Sequence, residues 1–204
     1  MNHIVENNFE ERKLVERILE GDNTSFSAII RMTERLVAQI IFKMIDHPED
    51  RKDIAQDVYL NAYKNLSRFR FESKLSTWIA QISYNTCYNF LEKKKLVLAG
   101  DFLDNHGSDE DHYFTSRSQW HDENGHDPAR KIIEQNRQTI IVSALEKLSP
   151  VYRTMISLYH QEEMSYEEIA SVTSLPIGTV KSYLFRARKS LKDSLENHYK
   201  KDEL

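Results

Sequence analysis

The stretch from Ser165 to Leu191, SYEEIASVTSLPIGTVKSYLFRARKSL, admits few local structures. Ser165 followed three residues later by Glu168 is a capping box, which predicts a helix beginning at Ser165 with Ile169 and Val172 on its inner side. Thr173, Ser174 and Pro176 interrupt that pattern, and Pro176, which cannot sit inside a helix, suits the first position of a new one. Val180, Leu184, Ala187 and Leu191 then recur at the spacing of one helical face. At about 100° per residue, Ser182, Phe185 and Lys189 fall on the opposite face, flanked by Lys181 and Arg186.

Two short helices, a tight turn and a basic outer face make the parts of a helix-turn-helix. The inner stripe docks the second helix on the first while the outer residues enter the major groove. Lysine and arginine meet phosphates or guanine edges there, and Ser182 is able to hydrogen-bond base edges. Phe185 is the informative residue, because a large aromatic on the polar face has no core to join and is suited to a thymine methyl group. A solvated basic face on an ordinary amphipathic helix would explain the cations alone. Cap, turn and stripe together favour the DNA-reading form.

With 5 glycines and 4 prolines in 204 residues and no sustained strand-like alternation, the fold class is all-α, divided into one or two domains. The single cysteine, Cys87, cannot form an internal disulfide and is expected to be buried. No apolar run is long enough for a membrane span or a signal peptide, so the expected location is a reducing cytoplasm, without membrane insertion. The final Lys-Asp-Glu-Leu spells a retention signal that has no meaning without secretion.

Charge divides the chain further. Residues 1 to 95 carry 15 basic and 14 acidic side chains, residues 96 to 130 carry 2 and 8, and residues 131 to 204 carry 11 and 10. The middle stretch lacks a helical stripe, is rich in Asp, Asn, Gly and Ser, and reads as a flexible acidic linker between two small helical domains, 1–95 and 131–204. Its histidines, His106, His112, His121 and His126, match no standard ligand spacing, so no metal and no cofactor is expected. Tyr113, Phe114 and Trp120 are many aromatics for an inert tether and point to docking on a partner.

In the first unit a helix through Phe9 to Leu19 is followed by Gly21-Asp22, where Asp22 or Asn23 is placed to cap the next helix, which His47-Pro48 ends. The following helix, RKDIAQDVYLNAYKNL, puts Ile54, Val58 and Ala62 on one face and Asp53, Gln56, Asp57 and Asn61 on others. After it comes RFRFESKLSTW, then a helix from about Thr77 to Lys95 bearing Gln81, Asn85 and Asn89. Aromatics interleaved with cations suit single-stranded nucleic acid, because unstacked bases sit on rings while cations hold the backbone. Phe69, Trp78 and Phe90 fit a core equally well, and a partly buried ring serves both ends.

DIAQDVYLNAYKNLSRF with STWIAQISYNTCYNFLEKKK resembles the second conserved domain of the extracytoplasmic-function sigma factors of bacterial RNA polymerase, and LSPVYRTMISLYHQEEMSYEEIASVTSLPIGTVKSYLFRARKSL resembles their fourth. The likeness covers roughly residues 10 to 95 and 131 to 195. It implies that Asp53, Gln56, Asp57 and Asn61 bind core RNA polymerase. It implies that Phe71 and Lys74, in a loop that pockets a flipped base, and Trp78, Gln81, Asn85, Asn89 and Lys93 capture the melted -10 strand of promoter DNA. Lys181, Ser182 and Phe185 would read the -35 element as duplex, with Arg186, Arg188 and Lys189 holding phosphates. The resemblance also implies an anti-sigma factor as restraining partner and a stress or envelope response. Phe71 stands where relatives usually have glycine, Ser76 where a cation is common, and Asn89 where aspartate is usual.

Two other classes fit less well. A conventional DNA-binding regulator would have no use for the aromatic and basic stretch from Arg68 to Lys74. For an enzyme there is no phosphate-cradling glycine loop, nucleophile-base pairing or clustered set of metal ligands, so no catalytic residue is expected.

Overall fold

The computed structural model describes residues 2–100 and 139–202, and every regular element among them is helical. In order these are α1 (Asn2–Leu19), α2 (Phe26–Met44), α3 (Pro48–Asn65), α4 (Leu75–Gly100), α5 (residues 139–146), α6 (Pro150–His160), α7 (Tyr166–Thr173) and α8 (Ile177–Asp202). Short 3-10 turns occupy Asn23–Ser25 and Leu66–Arg68. The histidines and aromatics singled out in the acidic stretch, from His106 to His126, lie outside the described residues. No helix among the described residues is long and apolar enough to cross a membrane.

Local chemistry sets most boundaries. Ser25, not Asp22 or Asn23, takes the position before α2. Asp22 instead gathers the preceding turn, accepting from Ser25 Oγ and from Arg17 at 2.6 Å each. These bonds, Ser25 first, hold its carboxyl well below the usual carboxylate range. His47-Pro48 starts α3 with proline at its first position, where the missing N–H removes no helical bond. α4 continues to Gly100, past the boundary at residue 95 that the lysine run suggested, since Leu96, Val97, Leu98 and Ala99 contain no helix breaker.

The apolar stripes then pack. Ile54, Val58 and Ala62 of α3 meet Ile29, Val37, Ile40 and Ile41 of α2 and Ile79 and Ala80 of α4 in a core that excludes water. Cys87 lies in that core, where burial pushes its thiol up to about 12. The second unit buries Met155 and Leu158 of α6, Ile169 and Val172 of α7, and Val180, Leu184 and Ala187 of α8.

The two units are docked, α7 against α4 and α6 against α2. Polar contacts cross the seam at Arg35–Glu162 (2.7 Å), Lys74–Glu168 (2.8 Å) and Arg153–Asp46 (3.4 Å). Gln39 Nε2 also donates to Ser157 Oγ at 2.6 Å and to Gln161 Oε1 at 2.7 Å.

Candidate nucleic-acid interface

The helix-turn-helix is built by its caps. Glu168 N donates to Ser165 Oγ at 3.1 Å and Ser165 N donates to Glu168 Oε2 at 3.0 Å, completing the capping box read in the sequence. Losing such a cap costs about 1 kcal/mol. α7 ends at Ser174 in the left-handed conformation (φ 56°), which turns the chain so that Pro176 precedes the first turn of α8. Val180 and Thr179 donate their N–H groups to the Pro176 carbonyl.

On α8 the predicted division holds. Val180, Leu184 and Ala187 are fully buried, Leu191 is half-buried, and Lys181, Ser182, Phe185, Arg186, Arg188 and Lys189 are exposed. Phe185 is 69% exposed, too bare for a core residue and free to press on a groove. Two of the cations have partners within the fold. Arg188 lies 4.7 Å over the Tyr159 ring and Lys181 lies 5.6 Å over Tyr166. Hydrogen bonds with Tyr159, then Arg188, hold the Tyr166 phenol below its usual value. Ser182 Oγ donates to the Gly178 carbonyl at 2.9 Å, which leaves its lone pairs for an incoming donor.

The residues assigned to the single strand form a second surface. Trp78, Gln81, Asn85, Asn89 and Lys93 recur at intervals of three and four, so they line one side of α4. Asn85, Asn89 and Lys93 are exposed, whereas Trp78 and Gln81 are half-buried. Before α4 the rings of Phe71, Phe69 and Trp78 form a ladder, with centroids 4.6 Å and 5.2 Å apart at successive steps. Phe71 sits at φ 59°, a left-handed conformation that costs a bulky residue on the order of 1 kcal/mol. This strain coincides with the departure from glycine. Of the rings left open between core and strand contact, Phe69 is buried, whereas Trp78 and Phe90, like Phe71, are partly exposed, with Phe71 and Trp78 tilted against Phe69.

Part of this surface is engaged by α7. Lys74 Nζ donates to Glu168 Oε1 at 2.8 Å, and Gln81 Nε2 donates to Ser174 Oγ at 3.0 Å. α7 therefore lies alongside the first turns of α4, its start near Lys74 and its end near Gln81. The Lys74 hydrogen bond is the largest cause of the lowered pKa of Glu168. Sequence reasoning missed this because the capping box already accounted for Glu168, yet its two oxygens serve the two roles separately.

On α3, Asp53, Gln56, Asp57 and Asn61 are exposed together, as their spacing predicts. Leu60 projects beside Gln56 and Asp57, 53% exposed, an apolar knob among polar groups that sequence reasoning missed. Its signal was phase, since Leu60 falls off the buried stripe of Ile54, Val58 and Ala62. An apolar centre with a polar rim is the usual anatomy of a protein interface.

Known proteins match on both halves. The sigma-70 region 2 family matches residues 29–97 and the sigma-70 region 4 family matches residues 138–191. The chain is 28% identical over 187 residues to the RNA polymerase sigma-H factor of Pseudomonas aeruginosa, covering 92% of this chain and 94% of that one. It is 28% identical over 188 residues to the ECF RNA polymerase sigma factor SigW of Bacillus subtilis, covering 91% and 97%. In fold it is similar to the sigma factor RpoE of Bartonella quintana, solved in complex with the anti-sigma factor NepR, at TM-score 0.59 and 22% identity, over 84% of this chain and 96% of that one.

Proposed function

Because the chain belongs to the sigma-70 family of RNA polymerase sigma factors, in its extracytoplasmic-function group, we propose that its three exposed faces divide promoter recognition among them. The α3 face with Asp53, Gln56, Asp57 and Asn61 docks on core RNA polymerase, and Leu60 anchors that contact. The loop from Phe71 to Lys74 and the α4 stripe of Trp78, Gln81, Asn85, Asn89 and Lys93 hold the melted -10 strand. Lys181, Ser182 and Phe185 read the -35 duplex while Arg186, Arg188 and Lys189 hold its phosphates.

The observation that carries this reading is α8, buried along Val180, Leu184 and Ala187 and bare at Phe185 between cations. Base edges in a duplex are open to a rigid helix, whereas single-strand bases must be unstacked and held on rings. The chemistry of RNA synthesis belongs to the polymerase, so this chain acts as an initiation factor in the bacterial cytoplasm rather than as an enzyme. Lys74 and Gln81 are occupied by α7 here, so strand capture requires α7 to leave α4. An anti-sigma factor, the kind of partner with which the Bartonella relative was solved, keeps the factor inactive until a stress or envelope signal removes it.

The test mixes purified protein with core RNA polymerase and genomic DNA fragments and sequences the transcripts that begin only in its presence. Defined starts sharing two upstream elements are expected. Absence of new starts, with tight duplex binding by the protein alone, would favour a conventional regulator. On the same assay Asp57→Lys should weaken polymerase binding about tenfold or more without altering which promoters are used; normal binding by that variant would remove α3 from the docking face.

A further inference from the structure

Two adjacent residues of α1 grip the two ends of the loop that precedes α4. Glu11 is only 5% exposed, and its Oε2 accepts from the Leu75 N–H at 3.1 Å. Leu75 is the first residue of α4, where N–H groups lack helical partners and a negative charge is favoured. The Arg12 guanidinium stands 4.8 Å over the Phe71 ring at the other end of the loop. Phe71 is the residue held left-handed, and its ring is pressed from another direction by Phe69 at 4.6 Å. A bulky residue keeps such a conformation only where its surroundings over-determine it. The helix that supplies both contacts precedes the family-matched stretch, which begins at residue 29.

We propose that Glu11 and Arg12 are positioning residues for promoter recognition: Glu11 sets the start of α4, Arg12 pins the Phe71 ring, and together they fix the geometry of the -10 base-capture loop. The inference rests on the reading of that loop as the strand-capturing element. Removing the Arg12 cation lets Phe71 leave its left-handed conformation, which loosens the base pocket. Removing the Glu11 carboxylate frays the first turn of α4, from which Trp78 projects. Neither residue belongs to the α3 face or to α8, so polymerase docking and -35 reading stay as they are.

The experiment uses the full-length protein with core RNA polymerase on promoters in which each -10 position is permuted, and compares Arg12→Ala, Arg12→Lys, Glu11→Ala, Glu11→Gln and Phe71→Gly. Arg12→Ala should flatten preference at one or two -10 positions about fivefold, with polymerase affinity and -35 preference unchanged, and Arg12→Lys should restore part of it. Glu11→Ala should slow promoter opening about fivefold, while Glu11→Gln, which keeps an acceptor, should stay close to the parent. In the Phe71→Gly background, Arg12→Ala should have no further effect on base preference. Unchanged -10 preference in Arg12→Ala, in a background where Phe71→Gly does alter it, overturns the proposal. So does an equal loss on every template together with polymerase binding, which is what a merely structural role would give. If Phe71→Gly itself leaves -10 preference intact, it is the capture-loop reading that falls. Should Glu11→Ala fail to fold, Arg12→Ala and the Phe71 cycle carry the same test.

Discussion

On α8 the side chains assigned to duplex DNA are all exposed, although Lys181 and Arg188 lean over Tyr166 and Tyr159, whereas several of those assigned to the melted strand are already held. Phe185 is exposed over most of its surface, while Lys74 is paired with Glu168, Gln81 with Ser174, and Trp78 stacks on Phe69. The element that covers α4 is α7, the same helix on which α8 is docked. One side of the helix-turn-helix therefore presents the face assigned to the -35 duplex, while the other packs against Lys74 and Gln81 of the face assigned to the -10 strand. A duplex offers its base edges before any melting, so a ready-made helix suffices for it. On the proposed reading a strand-binding face has use only once DNA is opened, and here Lys74 and Gln81 of that face are engaged by α7 while Asn85, Asn89 and Lys93 stay exposed.

Breaking the exposed face should have the largest effect. Phe185→Ala or Lys181→Ala should cost roughly 5- to 150-fold in discrimination at single -35 positions, from the roughly 1–3 kcal/mol that a good base contact contributes. Promoter-variant transcription measures this, with the -10 preference as the internal control. Loss of polymerase binding in either variant would count against the division of faces.

Loosening the seam sharpens the comparison from the other side. Arg35 and Glu162 join α2 to the turn that follows α6, and the Glu162 side chain is 8% exposed with Oε1 buried and unpartnered. Arg35→Ala leaves that carboxylate without its cation, so the docked arrangement should weaken by about 1 kcal/mol. Binding of a single-stranded -10 oligonucleotide to the free protein should then rise a few-fold, read by fluorescence anisotropy, while -35 duplex binding is unchanged.

Acidification gives the smallest effect. The pKa of Glu168 is lowered from 4.5 by the Lys74 hydrogen bond first, so its contribution is fully present above that ordinary value and fades as pH falls through the lowered one. Lys74 is exposed and Glu168 partly so, and solvent screens the pair, so only a modest widening between the units is expected as pH falls below the ordinary carboxylate value of 4.5, measurable by energy transfer between labels on α2 and α6. Widening on alkalinisation instead would mean that Glu168 is not the titrating group.

The sequence made the α8 face legible because its signals are local: a capping box, a proline and a stripe within one stretch. The buried stripe of α3 was legible for the same reason. Docking between the units was not, because Arg35, Gln39 and Gln81 look like ordinary solvated positions on their own helices and acquire partners only 93 to 127 residues away. The loop was half legible. Its aromatics marked it as a place where rings gather, but nothing local indicated that Phe71 is left-handed or that Glu11 and Arg12 reach it. The end of α4 was misplaced because a lysine run resembles a helix terminus, whereas the residues after it are good helix formers.

The most direct measurement is to lock the seam. Arg35→Cys and Glu162→Cys joined by a short reducible bismaleimide would hold α2 to the turn between α6 and α7. The native Cys87 is buried, with its thiol pushed up to about 12, and should not react. The account predicts that the locked protein binds a -35 duplex as well as the unlocked one, fails to bind the -10 strand or open a promoter with core polymerase, and recovers both on reduction. Promoter opening at the normal rate by the locked protein would contradict it.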